Sequence, residues 1–95
     1  MKRFSIIQKE ARCYVCGTSQ NIHIHEVFFG KNRQLSIKDG CCIYLCGRHH
    51  NLSNEGIHFN KDLDLKVKKR MQEVWCEYYN KTKEDFIKRY GRWFI

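Results

Sequence analysis

Cysteine and histidine are the residues of this chain whose types and spacing could do chemistry. Cys13 and Cys16 form a C-x2-C pair, and about thirty residues later Cys46 and His49 form a C-x2-H pair. Zinc takes four nitrogen or sulfur ligands in a tetrahedron, and two such knuckles supply them. The bland alternative is four small buried residues with no metal, a role free cysteine often takes; the paired spacing outweighs it. His50 directly follows His49, and His58 lies further on in the stretch from Leu45 to His58, L-C-G-R-H-H-N-L-S-N-E-G-I-H. That stretch is therefore expected to serve two metal sites at once. Cys46 and His49 close a structural zinc site begun by Cys13 and Cys16, while His50 and His58 join His25-Glu26 in a second, catalytic one. Cys41, Cys42 and Cys76 have no comparable pairing and read as core.

These residues need elements to hold them. C-Y-V-C-G, Cys13 to Gly17, reads as a knuckle whose glycine permits the tight turn, with Tyr14 and Val15 packed beneath the metal. From Ile22 to Phe29, I-H-I-H-E-V-F-F alternates and then turns apolar, which predicts a strand with His23 and His25 on one face. Gly30 ends it. Lys31 to Gly40 reads as a polar, basic loop anchored by Leu35 and Ile37, and Cys41 to Leu45 as the return strand. A short helix is expected from about Gly47 to Asn54 with Gly56 as its left-handed cap. Asn60 caps a longer helix, with Asp62 and Asp64 in its first turn and Leu63, Val67, Met71, Val74, Trp75 and Tyr78 as its apolar face. A last helix starts at the T-K-E-D capping box of Thr82 and ends before Gly91, with Phe86, Ile87, Tyr90, Trp93 and Phe94 as apolar contacts.

Length and charge bound what such a chain does. Ninety-five residues make one domain with a small core, for which a bound metal is an expected staple. The domain divides into an arm (1–12), the knuckles and metal core (13–58) and C-terminal helices (60–95). The N-terminus lacks the apolar run of a signal peptide, and no stretch reaches membrane-span length. With C-x-x-C favouring metal over disulfide in a reducing compartment, a cytoplasmic location is expected. A redox role for the motif is disfavoured, because a turn follows Cys13 in place of a helix that would lower a thiol pKa. A net charge of +8 fits a polyanion partner such as DNA or RNA and a merely solvated basic surface about equally. Lys31, Arg33 and Lys38, with Arg48 beside the knuckle, are the candidate phosphate contacts, while Lys66 to Arg70 reads equally well as a solvated helix face.

On Leu45-Cys46-Gly47-Arg48-His49-His50, the C-x2-C at the front, His25-Glu26 and the later G-I-H-F-N, the sequence resembles the HNH, or ββα-metal (His-Me finger), endonucleases. It is most similar to small phage-encoded types, including the RecA-dependent kind. The likeness spans roughly Cys13 to His58. It implies an α+β fold, a zinc-stapled ββα-metal core with added C-terminal helices, and hydrolysis of DNA phosphodiester bonds in phage recombination, replication or packaging. A recombinase or packaging protein is an implied partner, and the cytoplasm of an infected bacterium the implied location. His25, His50 and His58 would hold a catalytic divalent ion (Mg2+, Mn2+, Ni2+ or Zn2+) beside the structural Zn2+. The general base is Glu26 in one frame and His25 in the next. The family's central asparagine falls near Cys41, where there is none; Asn32 is the substitute from the loop. The alternative is a non-catalytic zinc-binding module that grips nucleic acid or a protein and retains the fold.

Overall fold

The computed structural model describes residues 3–53 and 55–95. It is α+β, a two-stranded sheet with helices. Strand β1 (Ile22–Glu26) pairs antiparallel with β2 (Cys42–Cys46), setting His23 opposite Leu45 and His25 opposite Ile43. Side chains alternate across a strand, so His23, His25, Ile43 and Leu45 share one face while Glu26, opposite Cys42, lies on the other. Ile43 and Leu45 have no solvent exposure, which makes the histidine face the core face.

The strand expected to run to Phe29 stops at Glu26. Val27 still bonds across to the Cys41 carbonyl (2.9 Å), but Phe28 is taken over by a serine. The Ser36 hydroxyl donates to the Phe28 carbonyl (2.8 Å) and accepts from the Phe28 N–H (3.1 Å), satisfying both groups without a strand partner. The segment read as a loop, Lys31 to Gly40, is a 3-10 turn (Gly30–Asn32) followed by helix α1 (Arg33–Asp39). Gly40 closes α1 in the left-handed conformation (φ 73°) and has no room for a Cβ, because the Phe4 ring lies on it. Ile6 bonds to the Gly40 carbonyl (2.9 Å), so the N-terminal arm lies along this junction. Met1 and Lys2, also placed in the arm, fall outside the described residues.

Strand β2 runs directly into α2 (Gly47–His50), which is a single turn and not the longer helix expected. Asn51 leaves helical geometry (φ −149°), and Asn54 falls outside the described residues. Gly56 is extended (φ −68°), so it is no left-handed cap. It is needed for a different reason: a Cβ there would meet the His50 carbonyl oxygen at 2.6 Å. The chain folds back onto α2 through this contact and enters a 3-10 turn (Ile57–Phe59) that carries His58.

Helix α3 (Lys61–Tyr79) is capped as expected, with the Asn60 side chain accepting from the Leu63 N–H (3.1 Å). Its buried positions are Val67, Met71, Gln72, Val74 and Trp75; Tyr78, assigned to the apolar face, is 59 % exposed. Gln72 is buried because its amide donates to the Phe94 carbonyl and accepts from the Phe94 N–H, pinning the C-terminal tail. Helix α4 (Lys83–Tyr90) starts at the Thr82–Asp85 capping box and ends at left-handed Gly91. Phe86 and Tyr90 are buried, whereas Ile87 faces out. Rings of Phe28, Phe86, Tyr90 and Phe94 meet with centroids 4.6–5.6 Å apart, each such pair adding about 0.5–1.5 kcal/mol beyond area burial.

One buried carboxylate ties these layers together. Asp39, at the end of α1, accepts from Trp75 Nε1 (2.9 Å), from Arg89 Nε and Nη2 (2.6 and 2.7 Å) and from the Tyr90 hydroxyl (2.8 Å). Its backbone carbonyl accepts from the Tyr79 hydroxyl (2.6 Å). A carboxylate leaves water at large cost unless its lone pairs are taken up, and four donors take them up here.

Candidate metal centres

Cys13, Cys16, Cys46 and His49 come together as a group able to hold a metal such as zinc, with ligand atoms within 4.8 Å of one another. The first knuckle is a turn closed by Gly17 N–H to Cys13 carbonyl (2.8 Å), with Gly17 at φ 77° as the turn demands. It is anchored to the sheet by the Tyr14 N–H on the Tyr44 carbonyl (2.8 Å). The second is the β2–α2 junction itself, where one helical turn brings His49 back beside Cys46. The distances suit the ion. Cys16 Sγ lies 3.8 Å from Cys46 Sγ, and Cys13 Sγ lies 3.6 Å from His49 Nδ1. A tetrahedron with Zn–S about 2.3 Å and Zn–N about 2.0–2.1 Å has edges of about 3.8 and 3.6 Å. Cys46 Sγ to His49 Nδ1 is somewhat shorter, 3.2 Å. Burial pushes the Cys13 thiol up, but the backbone groups of Cys46, Cys16 and Val15 outweigh it and bring it down to about 6, toward the thiolate a metal requires. Burial pushes Cys46 up. Tyr14, expected beneath the metal, packs against the core cluster, whereas Val15 is 44 % exposed.

Cys41 and Cys42 are fully buried, and burial raises both to about 12, which keeps them inert thiols. Cys76 is partly buried against the core, and burial raises it too.

His25, His50 and His58 form a second group, again with ligand atoms within 4.8 Å. Three elements converge on it: β1 gives His25, α2 gives His50, and the Gly56 fold-back gives His58. His50 Nε2 and His58 Nε2 are 3.0 Å apart, and the ring centroids lie 4.7–5.4 Å from one another. Among the described residues, His25 Nε2 is the buried side-chain polar atom with no hydrogen-bond partner. Leaving such a nitrogen unpaired costs about 1–3 kcal/mol, and coordination would relieve it. Burial, then the charges of His58, His50 and Lys68, hold His25 down to about 3, so it stays neutral and its lone pair stays free at ordinary pH. Burial and the charges of His58 and His23 lower His50 as well, against the pull of Glu26.

His23 sits behind this group, its Nδ1 2.9 Å from His50 Nδ1. Such a contact fixes the ring and tautomer of a ligand whose other nitrogen faces the metal position. Glu26 is not brought into the group. Its carboxylate accepts from Arg3 Nε (3.0 Å) and Arg33 Nε (2.8 Å) and is 13 % exposed. Asn32 donates to the Tyr90 carbonyl (2.9 Å) and so holds the end of α4.

The candidate phosphate contacts spread over the surface. Lys31 and Lys38 are exposed, Arg33 leans on Glu26, and Arg48 is exposed but paired with Glu55. Sequence reasoning gave three contributors no part in the site. Arg3 is remote in sequence from the carboxylate it holds. Lys68 lies 4.2 Å over the ring of Phe29, which in turn faces His25 and His58. Gly56 shows itself only through its approach to the His50 carbonyl. Among the described residues, no helix is long and apolar enough to cross a membrane. No family model, curated protein or solved structure matches the chain.

Proposed function

We propose that this chain is a metal-dependent endonuclease that hydrolyses DNA phosphodiester bonds, on a zinc-stapled ββα-metal core. The observation that carries the proposal is the buried, unpartnered Nε2 of His25, grouped with His50 of the strand–strand–helix unit and with His58 of the turn that folds back onto it. A divalent ion held by these residues would supply positive charge at the scissile phosphate, where negative charge builds in the transition state. An all-imidazole donor set suits zinc or a transition metal such as nickel over calcium, whereas a carboxylate ligand would leave magnesium or manganese open. His23 orients His50. Lys31, Arg33 and Lys38 grip flanking phosphates, consistent with the net charge of +8.

With His25 among the ligands, Glu26 is the group left to accept a proton from water. It lies on the face of β1 opposite His25, and both of its oxygens already accept from guanidinium groups, so it would have to leave those partners and turn toward the histidines to act. That same observation favours the second reading, a non-catalytic zinc module that binds nucleic acid. A phage recombination, replication or packaging context, with a recombinase or packaging protein as partner, belongs to the first reading.

A plasmid-nicking assay separates them. Wild type is compared with His50→Ala and Glu26→Ala in manganese, magnesium, zinc and nickel, with one zinc per chain confirmed for each variant. Nicking by wild type, abolished in His50→Ala and slowed in Glu26→Ala, supports the endonuclease. DNA binding without nicking in any metal supports the module.

A further inference from the structure

A cavity of about 360 Å³ opens between the first knuckle and α3, lined by none of the residues of either candidate metal group. Tyr14 and Val15, the two residues between Cys13 and Cys16, form one wall. Leu63, Lys66, Val67 and Arg70, which follow one another at helical spacing along a single face of α3, form the other. The surface is mainly apolar, yet two cations stand on it. Lys66 has no ion pair among the described residues, and Arg70 has only an exposed 3.6 Å contact to Glu73, a kind worth little. Val15, an aliphatic side chain, is 44 % exposed here, beside Tyr14 and the two cations one turn apart on α3.

Charge and shape select the occupant. Residues four apart on a helix have Cβ atoms about 5–6 Å apart, so Lys66 and Arg70 suit anionic groups repeated along one strand. The apolar wall between them suits the π-face of an unstacked base or a sugar. Duplex DNA presents phosphates but keeps its base faces stacked, leaving that wall unused; single strands use both features. We infer that the groove between the first knuckle and α3 binds a single-stranded stretch of nucleic acid, with phosphates on Lys66 and Arg70 and a base or sugar against Tyr14 and Val15.

This deepens the endonuclease reading, and rests on it only for what happens to the strand afterwards. The test is therefore binding, read by fluorescence anisotropy on the zinc-loaded full chain with a labelled oligothymidylate and with a duplex of equal length, across a salt series. The Lys66→Gln/Arg70→Gln double variant is compared with wild type and with Lys83→Gln/Lys88→Gln, which removes the same charge from exposed positions on α4. The groove variant should bind the single strand about tenfold more weakly, with a log–log salt slope shallower by about 1.4, two phosphates at about 0.7 each. Val15→Asp should weaken it at unchanged zinc content. The α4 variant should shift affinity much less and equally for both oligonucleotides. Equal losses in groove and α4 variants would overturn the assignment, as would a groove variant that loses duplex affinity while keeping the single strand. Binding through the groove with no nicking in any metal would sink the endonuclease reading and leave the groove standing. Nicking with a groove variant of unchanged affinity would do the reverse.

Discussion

Gly56→Ala offers a sharp test of how the histidine group is assembled, because the glycine touches no proposed ligand side chain. An added Cβ would sit 2.6 Å from the His50 carbonyl oxygen, 2.8 Å from its carbon and 3.1 Å from the Asn51 nitrogen. These are backbone atoms at the end of α2 and of the residue that follows it, and unlike side chains they cannot rotate away. To reach the 3.4 Å at which ordinary contact begins, the fold-back must open by several tenths of an ångström. Ligand distances in a metal site tolerate only about 0.2 Å. His58 is carried on that fold-back while His50 is fixed on α2, so the displacement falls directly on the 3.0 Å approach of their Nε2 atoms. Perturbing the support of a ligand typically costs about 10–100-fold in metal affinity, and the overpacking itself costs about 1–3 kcal/mol of stability. Titration of the zinc-loaded chain with nickel or manganese by calorimetry reads the first effect. Cobalt substituted at the thiolate site, followed by its charge-transfer absorption, shows whether the Cys13–Cys16–Cys46–His49 group is untouched. The expected result is loss of second-metal affinity at constant cobalt–thiolate signal. Unchanged affinity in Gly56→Ala would refute the claim that this contact places His58.

Other predictions follow from the same contacts. Asp39→Ala leaves the buried Trp75 and Tyr90 donors without their acceptor and removes the partner of Arg89, and should cost about 1–3 kcal/mol in urea unfolding; a loss under 1 kcal/mol would show that Asp39 does not hold α1 to α3 and α4. Because His25 is held down to about 3 against a usual 6.5, the unfolded chain takes up a proton as pH falls through 6.5 while the folded chain does not, so stability drops with acid until about pH 3. Between pH 6.5 and 5.5 that proton should cost about 1 kcal/mol, read as the difference between wild type and His25→Gln in unfolding midpoints; parallel pH profiles would contradict it. Ser36→Ala leaves the Phe28 N–H and carbonyl without their partner and should cost about 1–3 kcal/mol on thermal unfolding.

The sites were legible where chemistry fixes the spacing. Two residues between ligands is a property of metal knuckles whatever surrounds them, so the four residues of the first group stood out before any fold was known. The caps at Asn60 and Thr82 were equally readable, since each depends on side-chain atoms within three residues of the helix start. Helix α1 was hidden because its apolar residues, Leu35 and Ile37, are two apart and lack the spacing of three or four that marks a helix. Asp39 looks like a loop carboxylate until Trp75, Arg89 and Tyr90 arrive from 36 to 51 residues away. The same distance problem concealed Arg3 beside Glu26. Gly56 was recognised as a special glycine but for the wrong reason: a glycine after a helix suggests a left-handed cap, and nothing local reveals that a backbone carbonyl fills the space where a Cβ would go.

The central claim is that α2 serves two metal centres, with adjacent residues His49 and His50 pointing ligand atoms into different groups. Native mass spectrometry after loading with zinc and then nickel counts the ions directly. Wild type should carry two, and His50→Ala should carry one while retaining its cobalt–thiolate signature. A single ion in the wild type at saturating metal, or two in His50→Ala, would contradict the account.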